Sequence, residues 1–155
     1  ENNIKFGMHP DKPISQCNGI PYIFNTFENY KRALEITNNS KNFGMTLCVG
    51  QLAPGVDDIY EVTRYFAAMD RIFHIHFRNV DSYEPPWVET FPDDGYVDMY
   101  KIITILMENG YQGTVVPDHI PVFEGSSAGD GAGLAYCTAY TRGLIEAAKK
   151  EFETS

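Results

Sequence analysis

The strongest constraint on the fold of this chain is a unit that occurs four times along its 155 residues. Each unit has a short apolar segment typical of a buried strand, then a polar loop, then an amphipathic helix. The four strand segments are residues 4–8, 44–49, 72–77 and 113–116. Because strands that alternate with helices along a chain pair in parallel, the sequence predicts an α/β protein with a parallel sheet.

Polar residues mark where the helices of these units begin. Thr26 is a suitable N-cap for the first helix, and Asp98 starts the third. Asp57 or Asp58 places negative charge in the first turn of the second helix, where the helix dipole favours it. The fourth helix is predicted over residues 134–152. Every strand segment is therefore followed by a helix, and residues 1–155 are predicted to form a single domain.

Two architectures contain four such units. One is an open, doubly wound sheet, which is complete at about this length. The other is half of an eight-unit barrel, which needs roughly 250 residues in all. The pattern of strands and helices does not choose between them, because both are built by the same alternation.

Each strand segment ends on, or next to, a residue that can bind a metal ion. These residues are His9, Cys48, His76 and Asp118. In a barrel the carboxyl ends of all strands surround one mouth, whereas an open sheet binds its ligand at one switch point. Two imidazoles, a thiolate and a carboxylate at one mouth suit a divalent transition metal ion. The position of these residues therefore favours the barrel and predicts a metal site at its mouth.

The third strand segment carries polar side chains on one side. His74, His76 and Arg78 alternate along it, so they point the same way. If that side faces the mouth, His76 is the best-placed ligand, His74 lies deeper, and Arg78 stands at the rim. Arg78 there holds a substrate carboxylate, or it forms a structural ion pair with one of the acidic residues. The sequence leaves these two interpretations of Arg78 open.

Composition limits the possible partners and the compartment. Twelve basic residues against 21 acidic residues give a net charge of −9, which argues against binding to nucleic acid. No apolar run approaches the roughly 18 residues that a membrane-spanning helix needs. The three cysteines, Cys17, Cys48 and Cys137, cannot all pair, and their density is too low for a secreted disulfide scaffold. We therefore expect reduced thiols and a cytoplasmic protein.

Four stretches of the chain resemble the mannonate dehydratase family, metal-dependent TIM-barrel enzymes of the xylose-isomerase-like group. They are His9-Pro10-Asp11, residues 44–50, residues 71–79 and Pro117-Asp118-His119. Their order and spacing are maintained over nearly the whole chain. The resemblance implies that the four βα units form the C-terminal half of a TIM (β/α)8 barrel and that the N-terminal half of the barrel is absent.

A half-barrel of this kind would have open edges at its first and fourth strands. Open edges readily pair with strands of another chain. We therefore expect either a homo-oligomer of half-barrels or a chain that lacks its N-terminal half. In both cases the missing strands would also contribute contacts to the substrate.

The resemblance also implies a cofactor and a reaction. It implies Mn²⁺ bound by the same four residues that the strand ends single out, namely His9, Cys48, His76 and Asp118. The reaction would be the dehydration of D-mannonate to 2-keto-3-deoxy-D-gluconate, so the expected partner is a small sugar acid. Imidazole and thiolate ligands also suit Fe²⁺, Zn²⁺ or Co²⁺, and the choice of Mn²⁺ comes from the resemblance alone.

Further residues have expected roles around this metal. His119 matches a catalytic residue of the family and, next to Asp118, is a candidate general acid or base. The candidate substrate contacts are Arg78, Asn79 and His74.

One departure from the family affects the expected chemistry. A Tyr thought to take part in proton transfer is replaced by Ala132, and Tyr136, one helical turn onward, is the candidate substitute. This departure keeps two alternatives open. One is a sugar isomerase or epimerase of the same barrel group, and the other is an inactive half-barrel that binds a metal.

Overall fold

The strands and helices follow the predicted alternation closely. A computed structural model describes residues 4–11, 16–17, 19–127, 129 and 131–154. The elements in chain order are β1 Phe6–Met8, β2 Gln16–Cys17, β3 Ile20–Pro21, α1 Phe27–Ile36, β4 Phe43–Cys48, α2 Val49–Leu52, a 3₁₀ turn Ala53–Gly55, α3 Ile59–Ala68, β5 Ile72–His76, β6 Asn79–Val80, β7 Glu89–Thr90, α4 Met99–Glu108, β8 Thr114–Val116 and α5 Ala132–Thr154. Each of the four predicted strand segments overlaps one strand of the main sheet, and the predicted and observed ends differ by at most two residues.

The main sheet has four parallel strands in the order β1-β4-β5-β8. The order of the strands across the sheet is therefore the same as their order along the chain. A doubly wound sheet would instead reverse its order at a switch point. Sequential order is the winding of a barrel, and it leaves β1 and β8 at the two edges of this sheet. Two small antiparallel pairs, β2-β3 and β6-β7, lie outside it.

The helix starts depend on the capping side chains that the sequence indicates. The hydroxyl of Thr26 accepts a hydrogen bond from the backbone N–H of Asn29 at 3.2 Å. Asp58, rather than Asp57, caps α3, and Asp98 caps α4. The fourth helix, α5, extends two residues beyond the predicted range at each end. No helix in the described ranges is long and apolar enough to cross a lipid bilayer.

The two faces of the main sheet differ in chemistry. Met45, Leu47 and Ile75 are fully buried in the core, which the apolar sides of the helices complete. Because side chains alternate along a strand, the neighbouring residues point to the opposite face. That face carries Thr46 and His74, which pair across the two central strands. The sheet is therefore apolar where the helices cover it and polar on its other side.

Gly44 lies in β4 where a side chain has no room. A Cβ at this position would overlap the carbonyl oxygen of Arg71 and lie 2.9 Å from the ring of Phe73. The Arg71 carbonyl is fixed because it accepts the N–H of Met45 at 2.8 Å. We expect Gly44→Ala to lower the free energy of unfolding by about 2 kcal/mol, because overpacking forces the strands apart. Urea denaturation measures this loss.

Gly143 provides the matched control for Gly44. It lies within α5, and a Cβ there would have no neighbour within 4 Å. Gly143→Ala should therefore raise the free energy of unfolding by about 0.5 kcal/mol, since alanine favours a helix. Equal stability of the Gly44→Ala variant and the unsubstituted protein would contradict the steric argument.

Candidate metal centre

Three predicted ligands meet at the carboxyl ends of adjacent strands. Cys48 is the last residue of β4, His76 is the last residue of β5, and His9 directly follows β1. The sheet register places Cys48 directly opposite His76. One ligand atom from each of the three residues lies within 4.8 Å of the others. We call His9, Cys48 and His76 the His–Cys–His cluster.

The spacing of the two imidazoles suits a shared metal ion. His9 Nε2 lies 3.1 Å from His76 Nδ1, and the ring centroids are 5.0 Å apart. Metal–nitrogen bonds of about 2.0–2.1 Å place two ligand nitrogens of one tetrahedral ion roughly 3.3 Å apart. The donor set of two imidazoles and a thiol is also one that divalent transition metals accept. The residues present therefore fit a divalent metal ion.

Asp118 lies beside this cluster. It follows β8 by two residues, and its Oδ2 lies 3.4 Å from His76 Nδ1. The fourth sequence-predicted ligand therefore lies next to His76, although it is outside the group of three whose ligand atoms are all within 4.8 Å of one another. A carboxylate there adds the negative charge that a divalent cation requires.

Burial shifts the pKa values of two candidate ligands, Cys48 and His76. Burial raises the pKa of the Cys48 thiol, while the nearby Arg78 guanidinium acts in the opposite direction. Burial lowers the pKa of His76, with a smaller opposing influence from Asp118. The neutral imidazole of His76 is therefore favoured, and this is the form that binds metals. Binding through Cys48 requires release of the thiol proton.

Arg78 is placed as a structural ion-pair partner. Its side chain is only 2% exposed, and its Nε–H donates to Cys48 Sγ at 3.1 Å. The two terminal nitrogens donate to Glu89 and Gln51. Of the two interpretations left open by the sequence, the structure supports the internal ion pair. The guanidinium is committed to protein partners, so the interpretation of Arg78 as a rim residue that binds substrate is corrected.

The side chain of Asn79 is also hydrogen-bonded within the protein. It is fully buried, and its Nδ2 donates to the carbonyl oxygens of Pro92 and Val97. Its Oδ1 accepts the backbone N–H groups of Val80 and Val97. All four bonds join β6 to the segment before α4. The interpretation of Asn79 as a substrate contact is therefore corrected, because its amide holds the backbone instead.

His74 lies beneath the cluster on the polar face of the sheet. Its Nδ1 lies 2.5 Å from the hydroxyl of Thr114 on the neighbouring strand. Its ring stands edge-on to His76, with centroids 5.0 Å apart. This placement agrees with the deeper position that the alternation along the strand predicts.

His119 is close to Asp118 and to an acid that the sequence did not single out. Its Nδ1 lies 3.1 Å from Glu89 Oε1, and its Nε2 lies 3.6 Å from Asp118 Oδ2. The side chain is 56% exposed. Its φ of 48° is in the left-handed region, which few non-glycine residues adopt. Such strain is common at functional sites.

Tyr136, the candidate for proton transfer, is hydrogen-bonded to an acidic residue outside the cluster. Its hydroxyl donates to Asp93 Oδ2 at 2.5 Å, and its ring packs edge-on against Phe91 and Phe123. The hydrogen bond to Asp93 raises the pKa of Tyr136 to about 12. Within the described part of the chain, the hydroxyl of Tyr136 is therefore engaged with this acid rather than with the His–Cys–His cluster.

Sequence reasoning missed Glu89 and Gln51, the two partners of the Arg78 guanidinium. Glu89 lies in the two-residue strand β7, and Gln51 lies in the one-turn helix α2. Elements this short have no periodicity to detect. The available signal was an arginine, Arg78, directly after a predicted buried strand, where it would need an acid nearby.

Comparisons with known proteins show which family this chain resembles. The family model for D-mannonate dehydratase (UxuA) matches residues 1–155. The mannonate dehydratase of Lactococcus lactis subsp. cremoris is 32% identical over 162 residues, covering 97% of this chain and 44% of that protein. The crystal structure of mannonate dehydratase from Streptococcus suis serotype 2 matches with a TM-score of 0.84 and 30% identity, covering 95% of this chain and 44% of that chain.

A more distant match shows the fold alone. A xylose isomerase domain protein from Alicyclobacillus acidocaldarius has a TM-score of 0.71 at 16% identity, covering 94% of this chain and 52% of that chain. These matches confirm the predicted α/β fold, four βα units of a TIM barrel. The chain spans a little under half the length of the curated relatives it matches. The family model and the relatives confirm the resemblance seen in the sequence, and the chain belongs to the D-mannonate dehydratase (UxuA) family.

Proposed function

We propose that this chain forms the metal-binding part of a dehydratase that converts D-mannonate to 2-keto-3-deoxy-D-gluconate and water. The observation that carries this proposal is the His–Cys–His cluster at the carboxyl ends of three adjacent strands. Active sites of TIM-barrel enzymes lie at that end of the strands. Membership of the D-mannonate dehydratase family supports the substrate.

His9, Cys48 and His76 would hold the metal, with Asp118 as the fourth ligand. On the ground of the family we propose Mn²⁺, although the donor set also suits Fe²⁺, Zn²⁺ or Co²⁺. A divalent ion here would supply Lewis acidity to the substrate carboxylate and its neighbouring hydroxyl. We also propose a cytoplasmic setting, where Cys48 stays reduced, and a role in glucuronate catabolism.

Dehydration removes a proton from C2 and a hydroxyl from C3 of the sugar acid, and the resulting enol becomes the 2-keto product. In this proposal His119 moves a proton at Nε2, the ring nitrogen on the side of Asp118. Asp118 would bind the metal on that side of the imidazole. His74 remains a proposed substrate contact, placed deeper on the same face of the sheet. Arg78 does not contact the substrate and instead holds Cys48.

The proposal also concerns the two edge strands of the main sheet, β1 and β8. In a closed barrel every strand pairs on both sides, whereas among the described residues β1 and β8 each pair on one side only. We propose that strands from a second copy of the chain, or from the other half of the barrel, pair with these edges. Such strands would also line the mouth opposite the His–Cys–His cluster.

A combined metal and product analysis tests the proposal. The chain is loaded with Mn²⁺, its metal content and sedimentation are measured, and it is incubated with D-mannonate. We expect one bound metal ion per site and formation of a 2-keto-3-deoxy acid. D-gluconate, which differs only in configuration at C2, should give no product.

Each alternative gives a different result in the same experiment. An isomerase or epimerase would form an isomeric sugar and no 2-keto-3-deoxy acid. An inactive half-barrel would bind the metal without turnover, in every state of assembly that sedimentation detects. Absence of bound metal after loading would overturn the metal site itself.

A further inference from the structure

Glu89 lies between the candidate metal ligand Cys48, which it reaches through Arg78, and the candidate catalytic residue His119. Its Oε1 accepts a hydrogen bond from Arg78 Nη1 and lies 3.1 Å from His119 Nδ1. Arg78 in turn donates to the candidate ligand Cys48. The chain of contacts therefore runs from the thiol of Cys48 through Arg78 and Glu89 to His119.

The chemistry of Glu89 determines which nitrogen of His119 carries the proton. An ionised carboxylate has only acceptor atoms, so the N–H in this contact belongs to His119 Nδ1. A neutral imidazole has one N–H, which leaves the lone pair on Nε2. That atom lies 3.6 Å from Asp118 Oδ2, which is too long for a good hydrogen bond. Nε2 is therefore an available base on the side of the metal ligands.

The position of Glu89 is itself fixed from two directions. Its backbone pairs with Val80 in the β6-β7 hairpin. Its side chain is held by Arg78, which is 2% exposed and is also anchored on Gln51. A carboxylate that is held this firmly can orient an exposed histidine, whose own side chain has few packing contacts. His119, at 56% exposure, is such a histidine.

We propose that Glu89 is a positioning residue that holds His119 as the Nδ1–H tautomer and so leaves Nε2 free to accept the substrate proton. The orienting acid in catalytic triads and the carboxylates behind metal-bound histidines act in the same way. The inference about the tautomer stands on the geometry alone, whereas its catalytic consequence rests on the proposed function.

A merely structural role for Glu89 is the competing explanation. Glu89 would then only balance the buried charge of Arg78, and His119 would contact it by chance. This role predicts a loss of stability in Glu89 variants, but no effect on the tautomer of His119. The tautomer is therefore the decisive measurement.

The test measures the ring nitrogens of isotope-labelled histidines by NMR on the metal-free chain. The spectra are recorded at mildly alkaline pH, and long-range nitrogen–proton correlations distinguish the two tautomers of a neutral imidazole. His119→Gln identifies the signals of His119. We expect the Nδ1–H tautomer in the unsubstituted protein and a shift toward the Nε2–H tautomer in Glu89→Ala. Glu89→Gln, which keeps an acceptor oxygen, should retain part of the Nδ1–H population.

Glu84 supplies the control, because it is an exposed acid in the loop between β6 and β7. Glu84→Ala should leave the tautomer of His119 unchanged. An Nε2–H tautomer in the unsubstituted protein would overturn the proposal even if no Glu89 variant folds. An unchanged Nδ1–H tautomer in folded Glu89→Ala would also overturn it.

Kinetics provide a second measurement on the Mn²⁺-loaded chain, or on the complete assembly if that is the active form. Glu89→Ala should lower kcat by about 100-fold, the usual contribution of a general base, with little change in KM. Glu89→Gln should restore part of kcat. If no form of the protein dehydrates D-mannonate, the proposed function fails, and the NMR result still decides the role of Glu89.

Discussion

Cys48→Ser is expected to abolish tight metal binding. Cys48 supplies the only sulfur of the His–Cys–His cluster, and a serine hydroxyl is a much weaker ligand for a transition metal at neutral pH. Loss of a group behind a ligand typically weakens metal binding 10- to 100-fold, so loss of the ligand itself should weaken it by about 100-fold or more. Equilibrium dialysis followed by metal analysis measures this affinity.

Co²⁺ gives the same prediction a spectroscopic signature. A thiolate bound to Co²⁺ produces a charge-transfer absorption in the near ultraviolet, which should be present in the unsubstituted protein and absent in Cys48→Ser. Cys137→Ser is the matched control, because Cys137 is equally buried but lies in α5. Retention of the absorption in Cys48→Ser would rule out Cys48 as the thiolate ligand, and its loss in Cys137→Ser would show that the absorption is not specific to Cys48.

Arg78→Met is expected to destabilise the fold and weaken the metal site together. Methionine replaces the apolar stem of Arg78 but leaves Cys48, Gln51 and Glu89 without their donor. Breaking a buried ion pair costs about 3–5 kcal/mol, and we expect about 3 kcal/mol because Glu89 is partly exposed. Chemical denaturation of the metal-free protein measures this loss.

The effect of Arg78→Met on the metal should be separable from the loss of stability. Without the guanidinium, the Cys48 thiol loses the interaction that opposes the effect of burial on its pKa. Metal affinity should then fall about 10- to 100-fold under conditions where the variant is still folded. Arg78→Lys keeps the charge but not the planar fork, so it should restore only part of both properties.

Arg142 allows a control for the general effect of removing an arginine. It is exposed on α5, far along the chain from the strand ends. Arg142→Met should change the free energy of unfolding by less than about 0.5 kcal/mol and leave metal affinity unchanged. A similar loss in the two variants would mean that net charge, rather than the contacts of Arg78, is responsible.

The fold and the ligand positions could be predicted because their signals are local. Alternation of apolar strands with amphipathic helices is visible within single windows of sequence. The caps Thr26, Asp58 and Asp98 act on the helix that directly follows each of them. His9, Cys48 and Asp118 could be singled out because the carboxyl ends of parallel strands converge in any barrel. None of these inferences requires knowing which distant side chains touch.

For the opposite reason, the sequence could not decide between the two interpretations of Arg78 and did not predict the role of Asn79. Both follow the same strand as His76, so the alternation pattern gives Arg78 the same side as the ligands. What decides their roles is the β6-β7 hairpin, which brings Glu89 to Arg78 and places Asn79 against the backbone. Strands of two residues leave no pattern in the sequence, and their pairing is set by the tertiary structure.

The sequential order of the main sheet has a consequence for how the chain folds. Every pairing in that sheet joins residues separated by a whole helix, such as Phe6 with Phe43 and His74 with Thr114. No two of its strands can form a local hairpin, so each pairing must close a long loop before it gains any hydrogen bonds. Chains dominated by such distant contacts fold slowly. The helices, whose caps are local, should therefore form early, and the strand ends that carry the metal ligands should come together late.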